Sequence, residues 1–222
     1  MRISSTVEYS EESQRIVDSY NNDRNSHDAS YWSNDEINMV KREIKSHYKS
    51  VQNLTCVYCR KIYPVQHSGV WDVEHIAPKS ISPQFMFTPN NLCVACKDCN
   101  TEKSSKNVLV NRALVNYPQR TEAFVIIHPH FDSYEDHIGI HLDRIYSPKS
   151  DKGRKTIEYC GLLRFSYESV GWDASVAQRP SVMQIAQNLL SANDPVAVAH
   201  LQMQLLMSAQ IQLSETLLTN SA

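Results

Sequence analysis

The chain has 222 residues, room for one compact domain or one domain with helical additions. Hydrophobic residues make up 41% and charged ones 21%, which excludes wholesale disorder, and no run of 18 uncharged apolar residues offers a membrane span. The net charge of −2 hides a gradient. Lys plus Arg against Asp plus Glu stands at 3 to 8 over residues 1–36, 18 to 12 over 37–164 and 1 to 4 over 165–222, so a polyanion is expected at the centre alone.

In chain order, residues 1–33 read as a loosely ordered acidic arm with a short helix around 10–20. The opening MRISSTVEYSEESQR lacks the apolar centre of a signal peptide, so the cytoplasm is the expected compartment. Ser33 followed by Glu36 is a capping-box pattern, and Ile37, Val40, Ile44 and Tyr48 repeat at helical spacing, predicting a helix from 34 to about 50. LTCVYCRKIY at 54–63 reads as a metal-knuckle turn between short strands, and residues 70–76 as a strand. Pro78, Pro83 and Pro89 make 77–91 a loop. A helix is expected over 97–113 and a short strand over Phe124–Ile127. Residues 128–164 read as hairpins and loops, with a turn at Asp151–Gly153 inside a basic run. From Pro180 to Ala222 the only formal charges are Asp194 and Glu215. Asp194-Pro195 predicts a helix start, carrying Val198, Leu201, Leu205, Ile211 and Leu218 over roughly 20 residues. The expected segments are thus 1–33, an arm; 34–115, a core; 116–179, a basic hairpin and loop region packed on that core; and 180–222, a helical interaction region.

Five of the six cysteines lie between residues 56 and 99. Two Cys-x-x-Cys turns in a chain with no export signal point to metal before disulfide, and a thioredoxin-type redox motif would need one pair beside a βαβ pattern. Tetrahedral zinc is the natural occupant. Cys56 and Cys59 supply one pair, while Cys93-Val-Ala-Cys96 and Cys96-Lys-Asp-Cys99 both fit as the second. Between the knuckles, Asp72-Val-Glu74-His75 sets a carboxylate beside a histidine. Strand neighbours point to opposite faces, so one can hold a metal while the other acts as a base only where the strand ends or kinks, as Pro78 suggests.

The ordered set CVYC, DVEHIAPKS, NNL and CKDCNTEKSSK, over residues 54–107, resembles the HNH (ββα-metal) nuclease family in its zinc-braced form. The resemblance implies an α+β fold, a zinc-braced ββα-metal core with an N-terminal helix and a C-terminal helical extension. It implies His75 as general base, Asn91 as the asparagine that steadies the loop, and Asn100 as the last member of the triad, coordinating the catalytic metal. Glu74 matches the acidic metal ligand, although Asp is commoner there. Cys56, Cys59, Cys96 and Cys99 match the zinc ligands, leaving Cys93 to the core. The residue chemistry agrees. A neutral imidazole near its ordinary pKa takes a proton from water at physiological pH, and oxygen ligands suit Mg²⁺ or another hard divalent ion that offsets charge on the phosphorane. Lys103 and Lys106, three apart on the expected helix, would face a nucleic-acid backbone.

Weaker echoes lie in WSNDE at 32–36, HPHFDSYEDH at 128–137 and KGRKTIEYCGLLR at 152–164. They resemble the HNH subunit (PtuB) of Septu-type antiphage systems, which works beside an ATPase (PtuA). That resemblance implies an ATPase partner, bound through the C-terminal helices; nucleic acid is the expected substrate, DNA favoured and RNA possible. The rival readings are an HNH ribonuclease that cuts tRNA-type RNA and a non-catalytic zinc module that binds nucleic acid or protein. His128, His130, His137 and His141 read as hydrogen-bonding residues of turns ahead of a second metal site. Trp71 and Tyr58 read as a small core over the zinc.

Overall fold

The computed structural model describes residues 2–23, 25, 27–64, 69–141, 143–168 and 180–219, and divides into one unit reaching to Tyr134 and another from Glu135 onward.

The first unit begins with an anchored segment. Helix α1 (Glu11–Asn22) is capped by the Ser10 hydroxyl, which accepts from the Ser13 amide, and Glu11 and Glu12 sit in its first turn, where the helix dipole favours anions. The arm expected to be loosely ordered is instead fastened to the core. Ile3, Val7, Val17 and Tyr20 are buried, the Ile3 amide donates to the Pro129 carbonyl at 2.9 Å, and the Tyr9 and Tyr20 hydroxyls donate to the carbonyls of Phe87 and Pro83. Polarity counted along the arm misses this, because a few apolar side chains spaced along it carry the attachment.

Two 3₁₀ turns (Ala29–Ser33 and Asp35–Ile37) precede helix α2 (Asn38–Val51). Asn34 caps the second 3₁₀ turn, accepting from the Glu36 amide at 3.0 Å, and α2 itself follows Ile37 without a side-chain cap, in place of the expected Ser33 capping box. The predicted apolar stripe is real, with Ile37, Val40, Ile44 and Tyr48 fully buried. At the helix end the buried Gln52 amide donates to the carbonyls of Thr55 and Val94 and accepts from the Val94 amide. One side chain thereby joins the helix end, the adjoining knuckle and the strand beneath, and leaves little of its own polarity unpaired.

The knuckle is a tight turn. The Arg60 amide donates to the Cys56 carbonyl, the Cys56 amide to the Lys61 carbonyl, and the expected flanking strands reduce to one bridge, Thr55 to Ile62. Strand β1 (Trp71–His75) pairs antiparallel with β2 (Leu92–Cys96), Trp71 opposite Cys96 and His75 opposite Leu92, and helix α3 (Lys97–Lys103) comes directly after. This is the ββα order that the family resemblance implies. The helix expected over 97–113 stops at Lys103. Ser104 takes a left-handed φ of 47°, and the chain then crosses to a bridge between Leu109 and Phe124. That bridge is all the ladder that forms in the expected 124–127 strand. Trp71, Tyr58 and Cys93 are buried in the core, as expected.

In the second unit a single turn (α4, Tyr134–His137) leads into the hairpin of β3 (Ile138–His141) and β4 (Ile145–Pro148), then α5 (Asp151–Tyr159), α6 (Arg164–Glu168), α7 (Pro180–Ser191) and α8 (Pro195–Thr219). The turn expected at 151–153 is the start of α5, because the Ser150 hydroxyl caps it through the Gly153 amide. Gly153 itself lies so close to the His137 carbonyl that a Cβ would fall 1.8 Å from that oxygen. The Asp194 carboxylate accepts from the Ala197 amide, so the predicted cap at 194–195 forms and the helix runs for 25 residues.

Candidate active site and zinc frame

Cys56, Cys59, Cys96 and Cys99 come together with all four sulfurs within 4.8 Å of one another, each buried. Tetrahedral zinc with bonds of ~2.3 Å sets neighbouring sulfurs about 3.8 Å apart. The Cys59 and Cys96 sulfurs are 3.9 Å apart, and the Cys96 amide points at the Cys56 sulfur at 3.3 Å, a contact that favours a thiolate. The donor set therefore fits zinc. Cys96 ends β2 and Cys99 opens α3, so the metal would fix the corner between strand and helix. Cys93 lies outside the sulfur cluster, which resolves the ambiguity between the two possible second pairs.

His75 ends β1 and is buried, with 6% of its surface exposed. Its Nε2 lies 3.1 Å from the Met86 carbonyl. A carbonyl only accepts, so in the neutral ring Nε2 carries the hydrogen and the lone pair belongs to Nδ1. The Trp32 ring stands edge-on to the imidazole at 4.5 Å. Desolvation pushes the His75 pKa down to about 3, with the Lys79 charge adding to the effect. Burial thus favours the neutral form of the ring.

The loop that presents the Met86 carbonyl is held by Asn91. Its Oδ1 accepts from the Ala77 amide at 2.7 Å and its Nδ2 donates to the carbonyls of Ala77 and Phe85. Each end of the loop is thereby tied to one fully buried side chain. The Tyr9 and Tyr20 hydroxyls brace the same loop from the arm.

The Trp32 ring that meets the imidazole also lines a cleft of about 630 Å³, together with Asn38, Lys41, Arg42, Lys45, Asp72, Val73, Lys79 and Asn100; His75 itself is not among its lining residues. Within it the Asn100 Nδ2 donates to Asp72 Oδ2 at 2.9 Å, which orients the amide and leaves its carbonyl oxygen and the second Asp72 oxygen as donors for a hard cation. Asp72 is a functional candidate that the family motif alone does not single out. Glu74, the expected metal ligand, is only 3% exposed, and its Oε1 accepts from Tyr58 at 2.9 Å and pairs with Lys103 Nζ at 2.5 Å. Burial pushes its carboxyl upward, opposed by the Lys103 charge and the two hydrogen bonds.

Lys103, expected to face a phosphate backbone, is fully buried and also donates to the His75 carbonyl at 3.0 Å. It is an internal cation that ties α3 to β1, and that expectation is corrected. Lys106 is exposed but lies past the end of α3, its Nζ on the Glu102 carbonyl. The lysine pair is therefore not one helical face, and the cations that line the cleft are Lys41, Arg42 and Lys45 of α2 with Lys79 from the loop after β1. A signal for those of α2 exists in the spacing of Lys41, Lys45 and Lys49 along the predicted helix.

His128, His130, His137 and His141 make hydrogen bonds within the fold. His128 Nε2 meets the Tyr117 hydroxyl at 2.8 Å and its ring stacks on Phe131, while His130 Nε2 meets the Leu92 carbonyl. His137 and His141 pair with the hydroxyls of Ser150 and Ser147. Among the described residues the four cysteines are the one grouping of three or more His, Cys, Asp or Glu side chains with metal-binding geometry.

No family model matches the chain, and no solved structure matches it. A curated protein of Vibrio cholerae serotype O1 biovar El Tor, named "Retron Vc95 putative HNH endonuclease", is 28% identical over 133 residues. The match covers 55% of this chain and 58% of that relative's length. With its buried four-cysteine cluster, its ββα order and this relative, the chain is a mixed α/β homologue of a protein named as an HNH endonuclease.

Proposed function

We propose that the chain is a metal-dependent HNH endonuclease that hydrolyses nucleic-acid phosphodiester bonds, with DNA the favoured substrate. The observation that carries this reading is the placement of His75: its Nε2 is committed to the Met86 carbonyl, and its ring packs on Trp32, which lines a cleft of oxygen donors and cations. In the reaction, His75 Nδ1 takes a proton from the attacking water as the new P–O bond forms, and the bond to the leaving 3′ oxygen breaks in line with it. Asn91 keeps the base in place by holding the loop behind it. Asp72 and Asn100 would hold a divalent ion such as Mg²⁺, which when bound neutralises charge developing on the phosphate. Zinc, held by the four cysteines, would have a bracing role only.

Nicking of supercoiled plasmid and of total RNA with Mg²⁺ tests the reading. Wild type is expected to cut and His75→Ala to lose cleavage at unchanged zinc content. Equal activity in the two would overturn it. Cyclic-phosphate ends formed without added divalent ion would move the reading to an RNA-cutting enzyme.

The finer reading is an effector nuclease working in the cytoplasm beside an ATPase in antiphage defence. It draws support from the sequence resemblance and from α7 and α8, a segment without Lys or Arg that exposes Val196, Met203 and Met207. Large exposed apolar side chains on charge-poor helices suit a protein partner better than a nucleic acid. Among the described residues no helix is long and apolar enough to cross a membrane.

A further inference from the structure

Resting on the nuclease reading, we propose that the outer face of α2 is the track along which nucleic acid enters the site, with Arg42, Lys45 and Lys49 gripping consecutive phosphates. The helix is two-sided. Ile37, Val40, Ile44 and Tyr48 close its inner face, while Lys41, Arg42, Lys45 and Lys49 recur at helical spacing on the other. Two clefts meet along that outer face. The site cleft is lined by Lys41, Arg42 and Lys45, and a second cleft of about 770 Å³ by Arg42, Lys45 and Lys49 together with Ser46, Ser50 and Asn53. Arg42 and Lys45 line both, so the concave surface runs from Asp72 and Asn100 outward to the end of the helix. Among the described lining residues of the two clefts, Asp72 is the one acidic side chain, and it lies at the site end, where a divalent ion would sit. At ~1.5 Å per residue, Lys41 to Lys49 spans about 12 Å. That length is enough for three cations to meet successive phosphates of one strand.

The lining chemistry selects the ligand class. Cations with serine and asparagine between them fit a sugar–phosphate backbone, with Leu54 in the outer cleft and Trp32 and Val73 in the site cleft as the apolar lining residues. They give backbone affinity without base readout, so sequence preference must be set elsewhere. This surface also replaces Lys103, which is buried, as the source of basic groups near the site.

The test measures binding by fluorescence anisotropy of a 30-bp DNA duplex and a 30-nucleotide RNA, both on the full chain carrying His75→Ala so that no cleavage intervenes. Adding Arg42→Gln, Lys45→Gln and Lys49→Gln together is expected to weaken binding of the preferred probe at least tenfold. It should also lower the slope of log K against log salt by about 2 to 3, since each phosphate no longer neutralised removes ~0.7 to 0.9. A control pair in the second unit, Lys152→Gln with Lys155→Gln, should change the slope by less than one. An unchanged slope in a triple variant that melts like its parent overturns the proposal, and so does absence of binding by the parent at low salt. Nicking separates this outcome from the nuclease reading. If His75→Ala alone abolishes cutting while the triple variant binds as its parent does, the nuclease stands and the track falls. If no chain cuts but the triple variant loses binding, the track stands alone.

Discussion

Asp72 and Glu74 sit two residues apart on one strand, so by alternation they share a face, yet they have opposite surroundings. Asp72 is half-exposed at the start of β1, where it meets Asn100 in the cleft. Glu74 is deeper, closed over by Tyr58 and Lys103. A strand entering a core at an angle makes depth along the strand matter as much as face. The carboxylate nearer the histidine in sequence is taken up by a buried ion pair, while the one farther away stays in the cleft.

The largest effect should come from removing what holds both carboxylates in place. The four-cysteine cluster, which would hold zinc, joins the knuckle, the end of β2 and the start of α3, and α3 carries both Asn100 and Lys103. Structural zinc sites contribute on the order of 10 kcal/mol or more to the folding of small modules. Chelation, or Cys96→Ala, is therefore expected to unfold the first unit, read as loss of near-UV circular dichroism from the buried Trp71 and its neighbours. Retention of that signal with zinc stripped would show that the apolar core around α2 suffices.

The buried pair comes next. Lys103→Met leaves the Glu74 carboxylate without its cation and the His75 carbonyl without a donor, and breaking a buried pair in this way costs about 3–5 kcal/mol. Urea denaturation at saturating zinc should show that loss, and adding Glu74→Gln should return a good part of it, since the stranded charge is then gone. Were Glu74 instead a ligand for the catalytic ion, Lys103→Met would leave stability nearly unchanged and tighten divalent-metal binding.

Legibility in the sequence divides along the same line. The apolar stripe of α2, the four cysteines, the strand at 71–75 and the cap at Asp194 are legible, because each is a local pattern: a period, a spacing or a capping pair. The fates of Glu74 and Lys103 are not. An ion pair between residues 29 positions apart depends on which way α3 leaves the zinc corner, and nothing local records that. The anchoring of the arm is hidden for a similar reason. It rests on a few buried apolar side chains, Ile3, Val7 and Val17 among them, and on two tyrosine hydroxyls reaching the carbonyls of Phe87 and Pro83, some 60 to 80 residues away in sequence. The premature end of α3 turns on one backbone angle at Ser104. Ser104-Ser105 is a modest hint of it, outweighed by the helical look of residues 106–113.

The smallest effect on stability should accompany the sharpest effect on function. Asp72→Asn keeps the shape of the side chain, and amide can still meet amide across to Asn100, so the change in folding free energy should stay within about 0.5 kcal/mol, as for a surface position. What it removes is the negative charge that helps hold a cation and fixes which way the Asn100 amide faces. Groups that orient or supplement a metal ligand are worth about 10- to 100-fold in metal affinity or activity. The nicking rate of Asp72→Asn should fall by that much, and part of the loss should return at high Mg²⁺ or with Mn²⁺ if weakened metal binding is the cause. Glu74→Gln makes the complementary measurement, since loss of its charge should be felt in urea and much less in the metal titration. Should the two variants exchange their profiles, with Glu74→Gln rescued by metal and Asp72→Asn merely less stable, the assignment of the two carboxylates would have to be reversed and α3 would have to release Lys103 when the ion binds.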